Sequence, residues 1–292
     1  MPDLLVEHAP AKVNLMLRVI GRRADGYHDL ESLVAFADFG DRLSLSRGAE
    51  LSLTVRGPSA RQAGEGADNL VLKAARALGA RRPGLALGAF RLDKRLPVAA
   101  GLGGGSADAA AALRLLARAN DLVRDDAELY AAARATGADV PVCLDPRPRV
   151  MRGIGDVLSE PLLLPPLPAV LVNPGVVVAT KDVFAGWASA PASSPAGDLA
   201  AIGQLSTRQE VLRFLAAHAN DLERPAIALA PAIADVLSAL RALSGCRLAR
   251  MSGSGATCFG LFATVTAARA AAQILRGKYQ HWWVRAGKLN GA

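Results

Sequence analysis

Alternation is the first pattern along the chain. Val13, Leu15, Leu17 and Val19 fall on one face of an extended strand, with Lys12, Asn14, Met16 and Arg18 on the other. Two more alternating runs, 43–45 and 51–55, flank a polar turn containing Gly48, and their spacing predicts an antiparallel hairpin. The period then lengthens. Leu70, Ala74, Ala77 and Leu78 recur at helical spacing and predict a helix over 69–78. A longer helix, rich in alanine and leucine and introduced by Ser106, is predicted over 106–119, and another over 125–136 that stops at Gly137.

Beyond residue 156 the pattern loosens. A proline-rich stretch, 161–168, leads into a predicted strand over 169–172 that ends at Asn173-Pro-Gly. Segment 186–203, rich in Ala, Ser, Pro and Gly, reads as a mobile loop or a weak helix. Helical spacing returns near 208–219 and 232–243. Strands are predicted over 247–251 and 258–263, on either side of a glycine-bearing loop, Ser252-Gly-Ser-Gly-Ala-Thr257. A helix over 265–275 and a strand near 282–286 close the chain. Strands and helices mix without regular βαβ alternation, which predicts an α+β chain in two lobes. The boundary is placed at 1–156 and 157–292, and no internal repeat is visible.

Composition narrows this picture. Just over half of the 292 residues are apolar and only 4% are aromatic, so the chain can bury a sizeable core of aliphatic side chains. The net charge of +8 attracts polyanions, with nucleic acid and nucleotide phosphate as the two readings. The arginines are scattered, however, and no block of five or six like charges forms a nucleic-acid-binding tail. Cys143, Cys246 and Cys258 lack CxxC spacing, which argues against a disulfide framework or a zinc site and for reduced, buried thiols. The first residues carry acid where a signal peptide needs base, and the most apolar stretch, 162–178, is broken by Pro165, Pro166, Pro168 and Pro174. A cytoplasmic protein with no membrane partner is expected.

The densest chemical signal is Pro97-Val-Ala-Ala-Gly-Leu-Gly-Gly-Gly-Ser-Ala-Asp108. Its glycines let backbone approach a ligand closely, and it runs straight into a helix. Free amides and the positive end of that helix would face a di- or triphosphate together. A tight turn that only starts a helix is the alternative. No lysine follows the glycines as a Walker A loop requires, and Ser106 stands where a dinucleotide fingerprint needs its third glycine. Asp38-Phe-Gly40 imitates a protein-kinase metal motif, but the partner motifs are missing.

The loop resembles the phosphate loop of the GHMP kinases (galactokinase, homoserine kinase, mevalonate kinase and relatives). Ala9-Pro-Ala-Lys-Val-Asn14 is similar to that superfamily's first motif, and Met251-Ser-Gly-Ser-Gly-Ala-Thr-Cys-Phe259 to its third. Together they span nearly the whole chain. Gly21-Arg-Arg-Ala-Asp-Gly-Tyr-His-Asp-Leu-Glu-Ser32 and Thr136-Gly-Ala-Asp-Val-Pro141 resemble, within the superfamily, the 4-diphosphocytidyl-2-C-methyl-D-erythritol kinase family. The resemblance implies a two-lobed GHMP kinase fold, with an N-terminal lobe like ribosomal protein S5 domain 2 and a ferredoxin-like C-terminal lobe. It also implies transfer of phosphate from ATP, with Mg²⁺, to the 2-hydroxyl of the methylerythritol unit.

By the same resemblance Lys12 and Asp139 form the catalytic pair. Alone, Lys12 could be a solvated edge lysine and Asp139 a helix-capping aspartate. Pro97, Val98, Ala99, Ala100, Gly101, Leu102, Gly103, Gly104, Gly105, Ser106 and Ala107 make up the phosphate loop, with Asn69 and Lys94 bordering adenine. Asn14, Tyr27, His28, Thr180 and Phe184 are the expected acceptor contacts: an aromatic ring stacks on cytosine and an imidazole bonds its edge. Alone, Phe184 could equally be ordinary core packing. No dedicated protein metal cluster is expected, because ATP oxygens and water would hold the ion, with Ser106 a candidate hydroxyl. Ala99, Ala100, Ala107 and Lys181 depart from residues common in the family. A monomer or weak homodimer is expected. The competing readings are another GHMP kinase, of homoserine or mevalonate type, and a basic nucleic-acid-binding protein. Tyr27 and His28 argue against the first, and the lack of aromatics among the basic residues against the second.

Overall fold

The computed structural model describes residues 4–48, 50–123, 125–188, 202–203 and 205–290. The chain divides into two units, one of Met1–Lys12, Phe39–Val98 and Gly103–Pro146, the other of Val13–Asp38, Ala99–Leu102 and Arg147–Ala292. Two long strands, β1 (Leu4–Arg22) and β2 (His28–Ser46), contribute residues to both.

In the first unit the end of β2 is followed by β3 (Ser52–Arg56), the short helix α1 (Ala60–Ala63), α2 (Leu70–Arg81), β4 (Ala89–Asp93), α3 (Gly104–Ala119), α4 (Ala127–Thr136) and α5 (Val140–Leu144). The expected hairpin between 43–45 and 51–55 does not form. β4 lies between them, antiparallel to β2 from Arg42↔Asp93 to Ser46↔Ala89 and parallel to β3 from Ser52↔Ala89 to Arg56↔Asp93. Alternation fixed the faces of both strands correctly; it carries no information about which strand pairs with which. Gly88 makes the insertion possible. Its φ is +66°, and a Cβ there would stand 2.4 Å from the Ser46 carbonyl oxygen.

Leu43, Leu45, Leu53, Val55, Phe90 and Leu92 are the buried row of this sheet. α2 packs on α3 and α4, and the alanines at 107 and 109–112 of α3 are all buried, which keeps its neighbours close. Asn69 caps α2 by accepting from the Val71 amide. α3 starts at Gly104, two residues before the expected Ser106, because Gly103 takes the left-handed conformation at its N-cap (φ +59°).

The second unit continues with β5 (Arg149–Gly153), β6 (Val157–Leu158), β7 (Leu167–Asn173), α6 (Thr180–Ala188), α7 (Arg208–Ala217), α8 (Glu223–Leu229), α9 (Ala232–Arg241), β8 (Cys246–Met251), β9 (Cys258–Phe262), α10 (Val265–Lys278) and β10 (Trp283–Leu289). Its main sheet runs β10–β7–β9–β8, antiparallel throughout, and Leu289 of β10 meets Ala37 of β2. β7 is buried along all seven residues, consistent with its central position. α9 packs on β8 and β9, and α10 on β7 and β10, so that Val170, Leu237, Phe262 and Leu275 join one core. The α+β expectation is met.

Of the expected loop or weak helix at 186–203, residues 186–188 end α6 and 202–203 form a short helical turn; 189–201 lie outside the described residues. All three cysteines are free. Cys143 and Cys258 are buried as expected, and burial pushes the Cys143 thiol up to about 12, whereas Cys246 is half-buried.

Candidate active site

In the first unit the chemistry gathers at the N-terminus of α3. Lys12 comes from β1 and its stem lies against Gly103, where a Cβ would be 3.2 Å from both Cβ and Cε of the lysine. Its Nζ donates to Asp139 Oδ2 at 2.7 Å. Asp139 occupies the N-cap position of α5, yet its side chain makes no capping bond. The capping alternative for Asp139 is therefore removed, as is the solvated-edge alternative for Lys12, whose side chain is 5% exposed against 36% for the aspartate. The orphan amides at the start of a sixteen-residue helix, beside a buried ammonium, suit a polyphosphate.

Lys94 sits behind this helix end, fully enclosed. Its Nζ bonds Asp41 Oδ2 at 2.5 Å and Asp108 Oδ2 at 2.6 Å, and a Cβ on Gly104 would be 3.1 Å from it. Burial alone would lower the Lys94 pKa, but the two carboxylates outweigh it and the net shift is upward. Burial pushes the Asp108 carboxyl up to about 8, opposed by Lys94 and helped by Asp41, and its Oδ1 has no partner. Asp41 is better satisfied, since its Oδ1 accepts the Arg95 and Leu96 amides. The Asn69 side chain is likewise committed: besides capping α2, its Nδ2 donates to Gly64 O.

In the second unit, residues 99–102 lie under the third-motif loop. The Ser252 hydroxyl accepts the Asn14 amide at 3.1 Å and donates to Gly101 O at 2.8 Å, and the Thr257 amide donates to Ala100 O. A Cβ on Gly101 would stand 2.4 Å from Ser252 O, which is why glycine is needed there. Asn14 Nδ2 donates to Ser32 Oγ. Asn220, singled out by no motif, holds the loop through bonds from Nδ2 to Met251 O and Gly253 O. Thr180 Oγ1 and Ser254 Oγ are 2.9 Å apart.

Aromatic residues make up the rest. His28 stacks on Phe184 with ring centroids 4.7 Å apart and meets Trp187 edge-on at 5.7 Å. Its Nε2 is buried without a partner, and burial, with Arg22 nearby, lowers its pKa, so the ring is neutral near pH 7. Tyr27 stands 61% exposed at the adjoining turn and takes no part in the stack. Trp187 was missed from the sequence. The signal was there, because Phe184 and Trp187 are three residues apart and so share a face of α6.

Residues 69–145 match the family described as GHMP kinases N terminal domain, and 192–281 match GHMP kinases C terminal. A Rhodopseudomonas palustris protein named 4-diphosphocytidyl-2-C-methyl-D-erythritol kinase is 58% identical over 292 residues, covering 98% of this chain and 97% of the relative. A protein of the same name from Methylobacterium radiotolerans is 60% identical over 283 residues, with 96% and 97% coverage. The chain belongs to the 4-diphosphocytidyl-2-C-methyl-D-erythritol kinase family of GHMP kinases. A crystal structure of 4-(cytidine 5'-diphospho)-2C-methyl-D-erythritol kinase superposes with TM-score 0.76 at 37% identity, covering 99% of this chain and 100% of the other. Homoserine kinase from Cytophaga hutchinsonii, at 20% identity and TM-score 0.72 (98% and 95% coverage), shares the fold. One non-glycine residue of the loop carries a structural cost. Ala99 adopts φ +51°, a left-handed conformation that glycine takes without strain.

Proposed function

We infer that this chain transfers the γ-phosphoryl group of ATP to the 2-hydroxyl of 4-diphosphocytidyl-2-C-methyl-D-erythritol. The observation that carries the chemistry is the 2.7 Å contact between Lys12 and Asp139 beside the glycine-lined start of α3. The acceptor hydroxyl gives its proton to Asp139 as its oxygen bonds the γ-phosphorus. The bond to the β,γ-bridging oxygen breaks, and ADP leaves with that electron pair. Lys12 orients the carboxylate and offsets charge developing on the phosphoryl oxygens. Backbone amides of residues 101–107 hold the phosphates, while the buried side chains of Ala100, Leu102 and Ala107 anchor the loop. Pro97, Val98, Asn69 and Lys94 border the nucleotide; the last two act through the backbone they position, because their side chains are committed elsewhere.

Cytosine recognition falls to the His28 cluster. A neutral imidazole with a free buried Nε2 can bond a base edge, Phe184 and Trp187 hold its plane, and Tyr27 offers an exposed ring for stacking. Asn14 and Thr180 supply polar contacts to the rest of the acceptor. Among the described residues no three His, Cys, Asp or Glu side chains group to hold a metal ion. Mg²⁺ would arrive on ATP, held mainly by phosphate oxygens and water, with the Ser106 hydroxyl in the first turn of α3 as the candidate protein contact, and would neutralise phosphate charge. Our reading of the enzyme as a cytoplasmic monomer or weak homodimer rests on the sequence and is checked by cell fractionation and sedimentation velocity.

The deciding experiment is a coupled kinase assay with three acceptors. The cytidyl substrate should be turned over with a kcat/KM several orders of magnitude above homoserine or mevalonate. Faster turnover of either of those would overturn the reading.

A further inference from the structure

The first unit carries a second basic site, on the bare face of its sheet. Leu43, Leu45, Val55, Phe90 and Leu92 turn to the core, so strand alternation puts Arg42, Arg56 and Arg91 on the opposite face. Asp93 lies directly opposite both Arg42 and Arg56, with Arg91 two residues along the same strand. Neighbours directly across strands are about 5 Å apart and diagonal ones about 7–8 Å, so three long side chains here reach one ligand. All three arginines are exposed, and among the described residues none has a hydrogen-bond or ion-pair partner for its guanidinium. Asp93 is itself paired: its Oδ2 accepts Arg95 Nε and Nη2 at 2.8 and 2.5 Å. The face holds an open cavity of about 400 Å³, lined also by Asp93 and by Leu4 and Val6 of β1. Such a volume is in the range of small-ligand sites.

We propose that this cavity binds a small organic diphosphate whose other end is a short apolar chain. Guanidinium forks pair bidentately with phosphoryl oxygens, and three unpaired ones suit two linked phosphoryl groups. Leu4, 61% exposed, and Val6 give the apolar end a surface. Nucleic acid fits less well: no aromatic side chain lines the cavity to stack on bases. None of these residues belongs to the candidate active site.

Isothermal titration calorimetry on the full chain tests the site, with n-pentyl diphosphate as probe and the nucleotide site first filled by an unreactive ATP analogue. The analogue's own binding is read first, so failure of the nucleotide site is told apart from failure of this one. One equivalent of probe should bind; Arg91→Gln should weaken it roughly 10- to 100-fold and leave kinase turnover unchanged. Leu4→Ser should weaken n-pentyl diphosphate and spare inorganic diphosphate. No binding with the nucleotide site filled, equal affinity in Arg91→Gln, or inorganic diphosphate binding as tightly as the pentyl ester would overturn the proposal. So would displacement of the probe by an RNA oligonucleotide at lower concentration.

Discussion

Asp139 is the residue on which the proposed reaction turns, and its surroundings separate two roles. Asp139→Asn keeps an oxygen for Lys12 but cannot take a proton. It should lower kcat by ~10²–10⁴ while leaving both KM values nearly unchanged; near-normal steady-state turnover would reduce Asp139 to a positioning group. On the proposed reading, Trp187 acts through His28, which it meets edge-on, and not on the reacting atoms. An edge-to-face aromatic contact is worth about 0.5–1.5 kcal/mol, so Trp187→Ala should raise the KM for the cytidyl substrate roughly 2- to 10-fold. The KM for ATP and kcat should not move, and a parallel rise in the ATP value would contradict the assignment. Lys12 and Asp139 are separated by 127 positions. Each has a bland local reading, and only the family motif joined them beforehand. Trp187 matches no motif, and its value depends on His28, which is remote in the sequence.

At the scale of elements, α3 combines a ligand-facing N-terminus with a buried Asp–Lys–Asp group behind it. Burial holds the Asp108 carboxyl up to about 8 in the folded protein, whereas an unfolded chain releases that proton near pH ~3.9. The folded state therefore binds more protons between those values. The stabilisation from this group is complete below about pH 4 and is lost as pH rises through about 8. Asp108→Asn keeps a polar atom for Lys94 and removes the slope. Urea midpoints of wild type and variant should diverge steadily between pH ~5 and ~8, and a pH-independent difference would rule the coupling out. Helices and strands with one solvated face were legible in the sequence, although α2, α10 and β10 each run three residues past their expected ends and β1 starts well before its alternating run. Residues 28–42 of β2 were missed because 31–37 are all buried, and a strand buried on both faces shows no alternation. The false hairpin had a different origin: its strands do alternate, but period reports a face and not a partner.

Across the whole molecule, β10 completes the second unit's sheet at the end of the chain. Its seven pairs with β7 cover an edge whose residues, Leu167–Asn173, are buried throughout. Deleting 283–292 would leave that apolar edge unpaired, so the truncated chain should aggregate. A monodisperse, folded peak in size-exclusion chromatography would refute this. The sequence by itself determined the glycine loop, the motif residues, the two-lobed α+β class and the family, because these rest on local spacing and residue chemistry. Tertiary structure alone decided that β4 separates β2 from β3, that Lys94 is enclosed by two carboxylates, and that His28 lies on Phe184 and Trp187. It also decided that three arginines from three strands share one bare face. Those outcomes depend on strand partner, register and burial, which are set by contacts between residues far apart in the chain.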